Sequence, residues 1–221
     1  MTEPTLSAPP CQACTAPGVH TCNVARVIAG EAGGRRLAVP VGRDTRPTSD
    51  RAREGLFGTV VSIMGSLAGT RVLDLYAGSG AVGLEALSRG ARHVLLVESG
   101  DRASRVIRQN IEAIALPGAE VSTDRVARVL ARGPAGGRYD LVFADPPYAL
   151  GGEEVTAMLS ALADRAWLTS GALVVVERAT RSGPLDWPDG LVPDRARRYG
   201  EATIWYGLVA PAPDRSGTIG Q

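Results

Sequence analysis

Residues 71–87, RVLDLYAGSGAVGLEAL, constrain the fold more than any other stretch of the chain. Val72, Leu73 and Leu75 form a short apolar run with β-branched character, the pattern of a buried parallel strand. The run stops at Ala77-Gly78-Ser79-Gly80, where small residues let the backbone turn sharply and approach a ligand closely. Val82, Leu84, Glu85, Ala86 and Leu87 then suit a helix. Strand, glycine turn and helix make the first unit of an open α/β nucleotide site. Gly78, Gly80 and Gly83 fit the spacing G-x-G-x-x-G, so this stretch alone leaves a dinucleotide open. Asp74 points elsewhere: an acid at the strand end opposes a phosphate but suits a ligand bearing positive charge. S-adenosylmethionine carries an ammonium and a sulfonium and no phosphate.

The strands that follow bring more polar groups to the same end of a sheet. Val94-Leu95-Leu96-Val97 reads as a second buried strand ending at Glu98, placed to accept hydrogen bonds from ribose hydroxyls, while His93 at its start reads as structural. Residues 101–115 suit a helix capped by Ser99 or Asp101, with Val106, Ile107, Ile111 and Ile114 inward. Residues 120–122 form a weak third strand. Asp124 beyond it can accept an adenine amino group while Val126 covers the ring; equally, Asp124 can cap a helix over 126–130. Leu141-Val142-Phe143 is a further strand, delivering Asp145-Pro146-Pro147-Tyr148. Two consecutive prolines fix their φ angles and give up two N–H donors, leaving a rigid row of carbonyl acceptors beside a carboxylate and an aromatic ring. An exocyclic nucleobase amine needs that set. Its lone pair is delocalised into the ring, so acceptors at Asp145 and the Pro146 carbonyl must draw its two N–H groups towards tetrahedral geometry, while Tyr148 stacks on the base. No residue is placed for hydride chemistry, which weighs against a nicotinamide enzyme.

The rest of the chain frames this centre. At 221 residues, 44% hydrophobic and 21% charged, it has the composition of one ordinary globular domain, with no apolar run near the roughly 20 residues a bilayer requires. The N-terminus lacks a signal peptide's order, so a cytoplasmic, monomeric protein away from membranes is expected. Residues 1–23 read as a disordered leader, and 211–221 as a flexible tail. Cys11, Cys14, His20 and Cys22 lie in the leader; the spacing of His20 and Cys22 is too tight for a standard zinc knuckle, and no metal is expected. Residues 24–50 form a separate basic unit. RVIAGEAGGRRLAVPV reads as a β-hairpin with a glycine turn at Gly33-Gly34, too small to bury a core. Between positions 26 and 53 seven Arg stand against Glu31, Asp44 and Asp50, a net excess of four positive charges. Arg26, Arg35, Arg36, Arg43 and Arg46 therefore read as phosphate contacts to nucleic acid. A helix follows over 51–67, capped by Thr48 or Ser49, with Leu56, Val60, Ile63, Met64 and Leu67 inward. Residues 51–210 are the catalytic domain, completed by a helix over 153–162, a strand over 172–176 and an antiparallel hairpin of 195–199 with 202–209.

Taken together, RVIAGEAGGRRL, TRPTSDRARE, LDLYAGSGAVGLEALSRGA, VES, ADPPY and RRYGEATIWY resemble the bacterial small-subunit (16S) ribosomal RNA guanine-N2 methyltransferases of the RsmD type, over about residues 26–208. The resemblance implies a Rossmann-like α/β fold with a seven-stranded, mostly parallel sheet closed by an antiparallel C-terminal hairpin, plus the small N-terminal hairpin. It implies S-adenosylmethionine as cofactor and a guanine of 16S RNA, in a small subunit or an assembly intermediate, as substrate. Carried over, Asp145, Pro146, Pro147 and Tyr148 would be the catalytic tetrad, and Asp74, Ala77, Gly78, Ser79, Gly80, Glu98, Asp124 and Val126 would line the cofactor site. The D-P-P-Y motif does not name the base, so methylation of DNA adenine or cytosine is a rival reading. So is a non-catalytic RNA-binding assembly module.

Overall fold

The computed structural model describes residues 25–40 and 50–210. The leader with Cys11, Cys14, His20 and Cys22, the arginines Arg43 and Arg46, the caps Thr48 and Ser49, and the tail lie outside the described residues.

A seven-stranded sheet carries the site. Its strands are β3 (Arg71–Leu75), β4 (His93–Glu98), β5 (Ala119–Thr123), β6 (Tyr139–Ala144), β7 (Leu168–Ala179), β8 (Leu191–Tyr199) and β9 (Ala202–Val209), in the order β5-β4-β3-β6-β7-β9-β8. The first five are parallel, and β9 runs antiparallel to both β7 and β8. The chain steps outward from β3 through β4 to β5, then returns to the other side of β3 as β6. That reversal leaves a crevice at the carboxyl ends of β3 and β6, where open α/β sheets bind ligands.

Central strands are buried on both faces, which is why they read as unbroken apolar runs. On one face Val72, Val94, Leu96, Leu141, Phe143 and Val175 meet α1 (Asp50–Met64), α2 (Ala81–Ser88) and α3 (Asp101–Ile114). Phe57 of α1 lies 5.5 Å from Phe143, ring centre to ring centre. On the other face Leu73, Leu75, Val97, Val142, Ala144 and Val174 meet α4 (Val126–Arg132) and α5 (Gly152–Asp164). The caps differ from expectation. α3 begins after Gly100 and α4 after Arg125, neither with a side-chain cap, so Ser99, Asp101 and Asp124 do not serve that role. Among the described residues no helix is long and apolar enough to cross a membrane.

The N-terminal hairpin, β1 (Ala25–Arg26) and β2 (Arg36–Leu37), does bury a core, contrary to the sequence reading. Ala25, Val27, Ala32 and Leu37 are buried within the apolar layer shared with α1, α2 and α3. Its polar backbone is met from α2: Glu85 accepts the N–H groups of Ile28 (2.6 Å) and Ala29 (3.0 Å), and Ser88 Oγ accepts that of Ala32 (2.9 Å). Gly30, at φ +85°, packs so close that a Cβ would lie 1.9 Å from the Ser88 carbonyl oxygen. Spacing alone could not reveal this, because each partner lies more than fifty residues along the chain.

Candidate functional site

The glycine loop between β3 and α2 is held from several sides. Tyr76 takes a left-handed conformation (φ 61°), costly for a bulky residue and characteristic of strained functional turns. Gly78 (φ 57°) and Gly80 (φ 77°) follow in the same region, which glycine enters without penalty. The Ala77 N–H donates to the Val97 carbonyl of β4 (3.0 Å), and the Gly80 N–H to the Ala77 carbonyl (2.7 Å). Asn110 of α3, buried, donates from Nδ2 to the Ser79 carbonyl (2.9 Å) and exchanges two bonds with the Ala38 backbone. Neither Tyr76 nor Asn110 is signalled by the sequence: the first sits in an ordinary strand-end run, and the second is one polar residue on a helix.

Asp74 and Glu98 both bind backbone N–H groups of this unit. Asp74 is 4% exposed; its Oδ2 accepts the Gly83 N–H at 2.8 Å, and burial, with some repulsion from Glu98, raises its carboxyl to about 7. A side chain at Gly83 would collide with that carboxylate and with Val94, so the third glycine serves helix–strand packing. Glu98 at the tip of β4 accepts from Gly78 (2.9 Å) and Gly100 (2.8 Å), one bond to each oxygen. Each oxygen keeps a further lone pair for a ligand hydroxyl.

Asp145-Pro146-Pro147-Tyr148 leaves β6 one strand away. Ala144 stands beside Leu75 in register, and the Asp145 N–H reaches the Leu75 carbonyl at 3.4 Å. Asp145 is surrounded by protein yet opens to solvent through the crevice. Its enclosure raises its carboxyl above the usual range, with added repulsion from Glu177 and Asp74; crevice water tempers the size of that rise, not its direction. The row of carbonyls expected here is shorter: the Pro147 carbonyl accepts the Leu150 N–H (2.8 Å) in a turn, leaving that of Pro146 as the acceptor. Tyr148 is 56% exposed at the rim.

Two expected positions are occupied differently. Asp124 accepts the Arg125 N–H at 2.7 Å and pairs with Arg132, and these bonds lower its carboxyl. Val126 is buried among the residues under β4 and presents little surface to a ring. Arginines of the hairpin diverge too. Arg35 donates Nη1 to the carbonyls of Ala113 (3.0 Å) and Ile114 (2.5 Å), closing the last turn of α3, and so is a structural clamp. Arg26, largely exposed, pairs with Asp50 at 2.9 Å, and Arg36 is exposed.

This arrangement decides what the crevice can hold. Asp74, Glu98 and Asp145 gather at one end of three adjacent strands, and two of them already resist further negative charge. A pyrophosphate would add charge to that field, whereas an ammonium or sulfonium would relieve it. The residues therefore fit a cationic nucleoside cofactor and not a dinucleotide.

Comparison with known proteins agrees. The family model described as conserved hypothetical protein 95 matches residues 25–207. Ribosomal RNA small subunit methyltransferase D of Escherichia coli (strain K12) is 37% identical over 166 residues, 73% of this chain and 80% of that protein. The solved structure of Escherichia coli yhhF superimposes with a TM-score of 0.74 at 31% identity, covering 84% of this chain and 98% of that one. Magnesium protoporphyrin IX methyltransferase (ChlM) of Synechocystis PCC 6803, solved with bound SAM, shares the fold alone, with a TM-score of 0.57 and 19% identity over 72% of this chain and 79% of its own. With most of its length matched by the family model, and more than a third of the aligned residues shared with the Escherichia coli enzyme, this chain belongs to the conserved hypothetical protein 95 family, alongside ribosomal RNA small subunit methyltransferase D.

Proposed function

We propose that the protein is an S-adenosylmethionine-dependent methyltransferase acting on the exocyclic N2 amine of a guanine in small-subunit ribosomal RNA. The observation that carries this reading is the adjacency of Asp145-Pro146-Pro147-Tyr148 to the glycine loop, one strand apart across the crevice. Family membership supplies the RNA as substrate class. Asp74, the loop 77–80 and Glu98 hold the cofactor, with Glu98 on its ribose. The cofactor would supply an electrophilic methyl group on its sulfonium, the C–S bonding pair staying on sulfur to leave a neutral thioether.

Asp145 and the Pro146 carbonyl accept the two N–H bonds of the guanine amine, turning its lone pair out of the ring plane towards the methyl carbon. Tyr148 stacks on the base and keeps it extruded. As the C–N bond forms, nitrogen gains positive charge, which the Asp145 carboxylate stabilises; the departing proton passes to Asp145 and on to water. The raised affinity of Asp145 for protons suits it to that last step.

The test is transfer of labelled methyl to small ribosomal subunits from cells lacking this gene, comparing wild type with Asp145→Ala. N2-methylguanosine formed by wild type, with a loss of about a hundredfold or more in the variant, is expected. Label in N6-methyladenosine or N4-methylcytidine, or equal activity in both proteins, would overturn the assignment.

A further inference from the structure

Beyond the crevice, the C-terminal strands present a group of donors that the reaction does not use. Arg178 of β7 faces Thr203 of β9, which faces Arg198 of the edge strand β8. One step back along the same sheet face, Val176 faces Trp205, which faces Ala196. Residues opposite one another in a ladder share a face, so Arg178, Arg198, Thr203 and Trp205 form one patch, with Arg178 and Trp205 diagonal neighbours within reach of each other. Val176 also stands beside Ala144 of β6 in register, so Arg178 lies two residues beyond the last pair before Asp145-Pro146. The patch borders the base-binding side of the crevice, away from the glycine loop.

Its hydrogen bonding is incomplete. Arg178 Nη1 and Trp205 Nε1 are both buried without an acceptor among the described residues. Buried donors of this kind are rare in native proteins, and two on neighbouring positions of one face point to a missing acceptor. Thr203 Oγ1 is already engaged with Thr180 Oγ1 at 3.0 Å, and Arg198, exposed, binds the Gly200 carbonyl through Nε. An acceptor that satisfies two guanidinium groups and an indole N–H at once is a phosphate oxygen cluster.

We propose that Arg178, Arg198 and Trp205 form a phosphate-binding site for the RNA backbone flanking the target nucleotide. The site rests on the methyltransferase reading for the identity of its RNA, and it explains how a chain with Arg35 tied to α3 grips its substrate: the hairpin is one side of the contact, and the β7–β9–β8 edge is the other. A base flipped towards Asp145 carries its flanking phosphates past the sheet's carboxyl edge, where Arg178 stands.

Two measurements test the site separately from chemistry. Equilibrium binding of 16S RNA and of small subunits is measured with S-adenosylhomocysteine present, for wild type, Arg178→Gln, Arg198→Gln and Trp205→Phe. Cofactor affinity by calorimetry serves as the check on folding; Arg198→Gln, at an exposed edge, leaves the fold intact in any case. Each arginine variant should bind RNA about tenfold more weakly, with the slope of log affinity against log salt reduced by about one, and with cofactor affinity unchanged. Trp205→Phe should weaken RNA binding by a smaller factor while keeping the salt slope. Wild-type affinity and salt slope in both arginine variants would overturn the site. Weakening confined to whole subunits, absent on naked RNA, would also overturn it, assigning the patch to a ribosomal protein. Failure of wild type to transfer methyl while these binding differences persist would sink the enzymatic reading and leave the site standing.

Discussion

A carboxyl group 4% exposed and bonded to a single backbone N–H holds its proton far above the range of a solvated acid, and Asp74 shows the consequence for stability. Between the unfolded value of 3.8 and about 7, the folded protein keeps a proton that the unfolded chain releases. Stability therefore falls as pH rises through that window, by an amount on the order of a few kcal/mol. Asp74→Asn reproduces the neutral form and still offers an oxygen to the Gly83 N–H. Its thermal midpoint should fall less between pH 4 and 7 than that of wild type, the remaining fall coming from Asp145, and equal falls in both proteins would assign the effect elsewhere. At this scale the sequence was informative where chemistry is local. Asp74, Glu98 and Asp145 stand at strand ends in a row of apolar residues, and that position is written in the order of the chain. Whether a residue there faces the ligand or a neighbour is not. Asp124 found Arg132, and Val126 turned inward, because the partners that decide this arrive from a helix whose orientation no spacing encodes.

Elements repeat the lesson with the N-terminal hairpin. Its arginine content and small size suggested a phosphate-contacting unit with no core of its own, and the structure shows a docked one, because Glu85 offers an entirely buried carboxylate to two backbone N–H groups and to Arg89. Glu85→Ala leaves those donors without an acceptor, at a cost of about 2–4 kcal/mol. A lower urea midpoint is expected, together with faster amide exchange at Ile28 and Ala29. Gly30→Ala should give the same exchange pattern by a different route, since its Cβ would meet the Ser88 carbonyl. Protection at Ile28 and Ala29 unchanged in both variants would show that the hairpin is held by its apolar residues alone. The strand–loop–helix of residues 71–88, by contrast, was legible in its order of elements, though not in the left-handed Tyr76, because its strand, glycines and helix are contiguous and need no distant partner to be recognised.

Across the whole molecule, the strand order concentrates acidity at one end of the sheet. Asp74 and Asp145 stand at the ends of adjacent strands, burial raises the proton affinity of both, and charge from Glu98 adds to it at Asp74 and from Glu177 and Asp74 at Asp145. A cationic ligand reverses that preference, so its binding expels protons. Calorimetry of S-adenosylmethionine in buffers of different ionisation enthalpy should show net proton release near pH 7, and affinity should tighten as pH rises from 6 to 8. Proton uptake, or affinity independent of pH, would mean that the ligand's positive charge lies away from these carboxylates. The alternation of strands and helices and the antiparallel close could be read from the residues, while the seven-stranded sheet as a whole was what the family resemblance implied. The arginine-bearing face of β7, β9 and β8 was not, because it exists only when residues from three separate strands are laid side by side.

The bonds that fasten the hairpin also set a timetable for synthesis. Residues 25–40 leave the ribosome early, yet the side chains that receive them are Glu85, Ser88 and Asn110, and Arg35 needs the carbonyls of residues 113 and 114. At about 5–20 residues per second, the segment waits several seconds for its last partner to appear. During that interval its three arginines, Arg26, Arg35 and Arg36, and its apolar Val27 and Leu37 travel undocked beside the ribosomal surface. An early-made segment thus docks only when the third helix is complete, and until then the nascent chain carries Arg26, Arg35 and Arg36 uncovered.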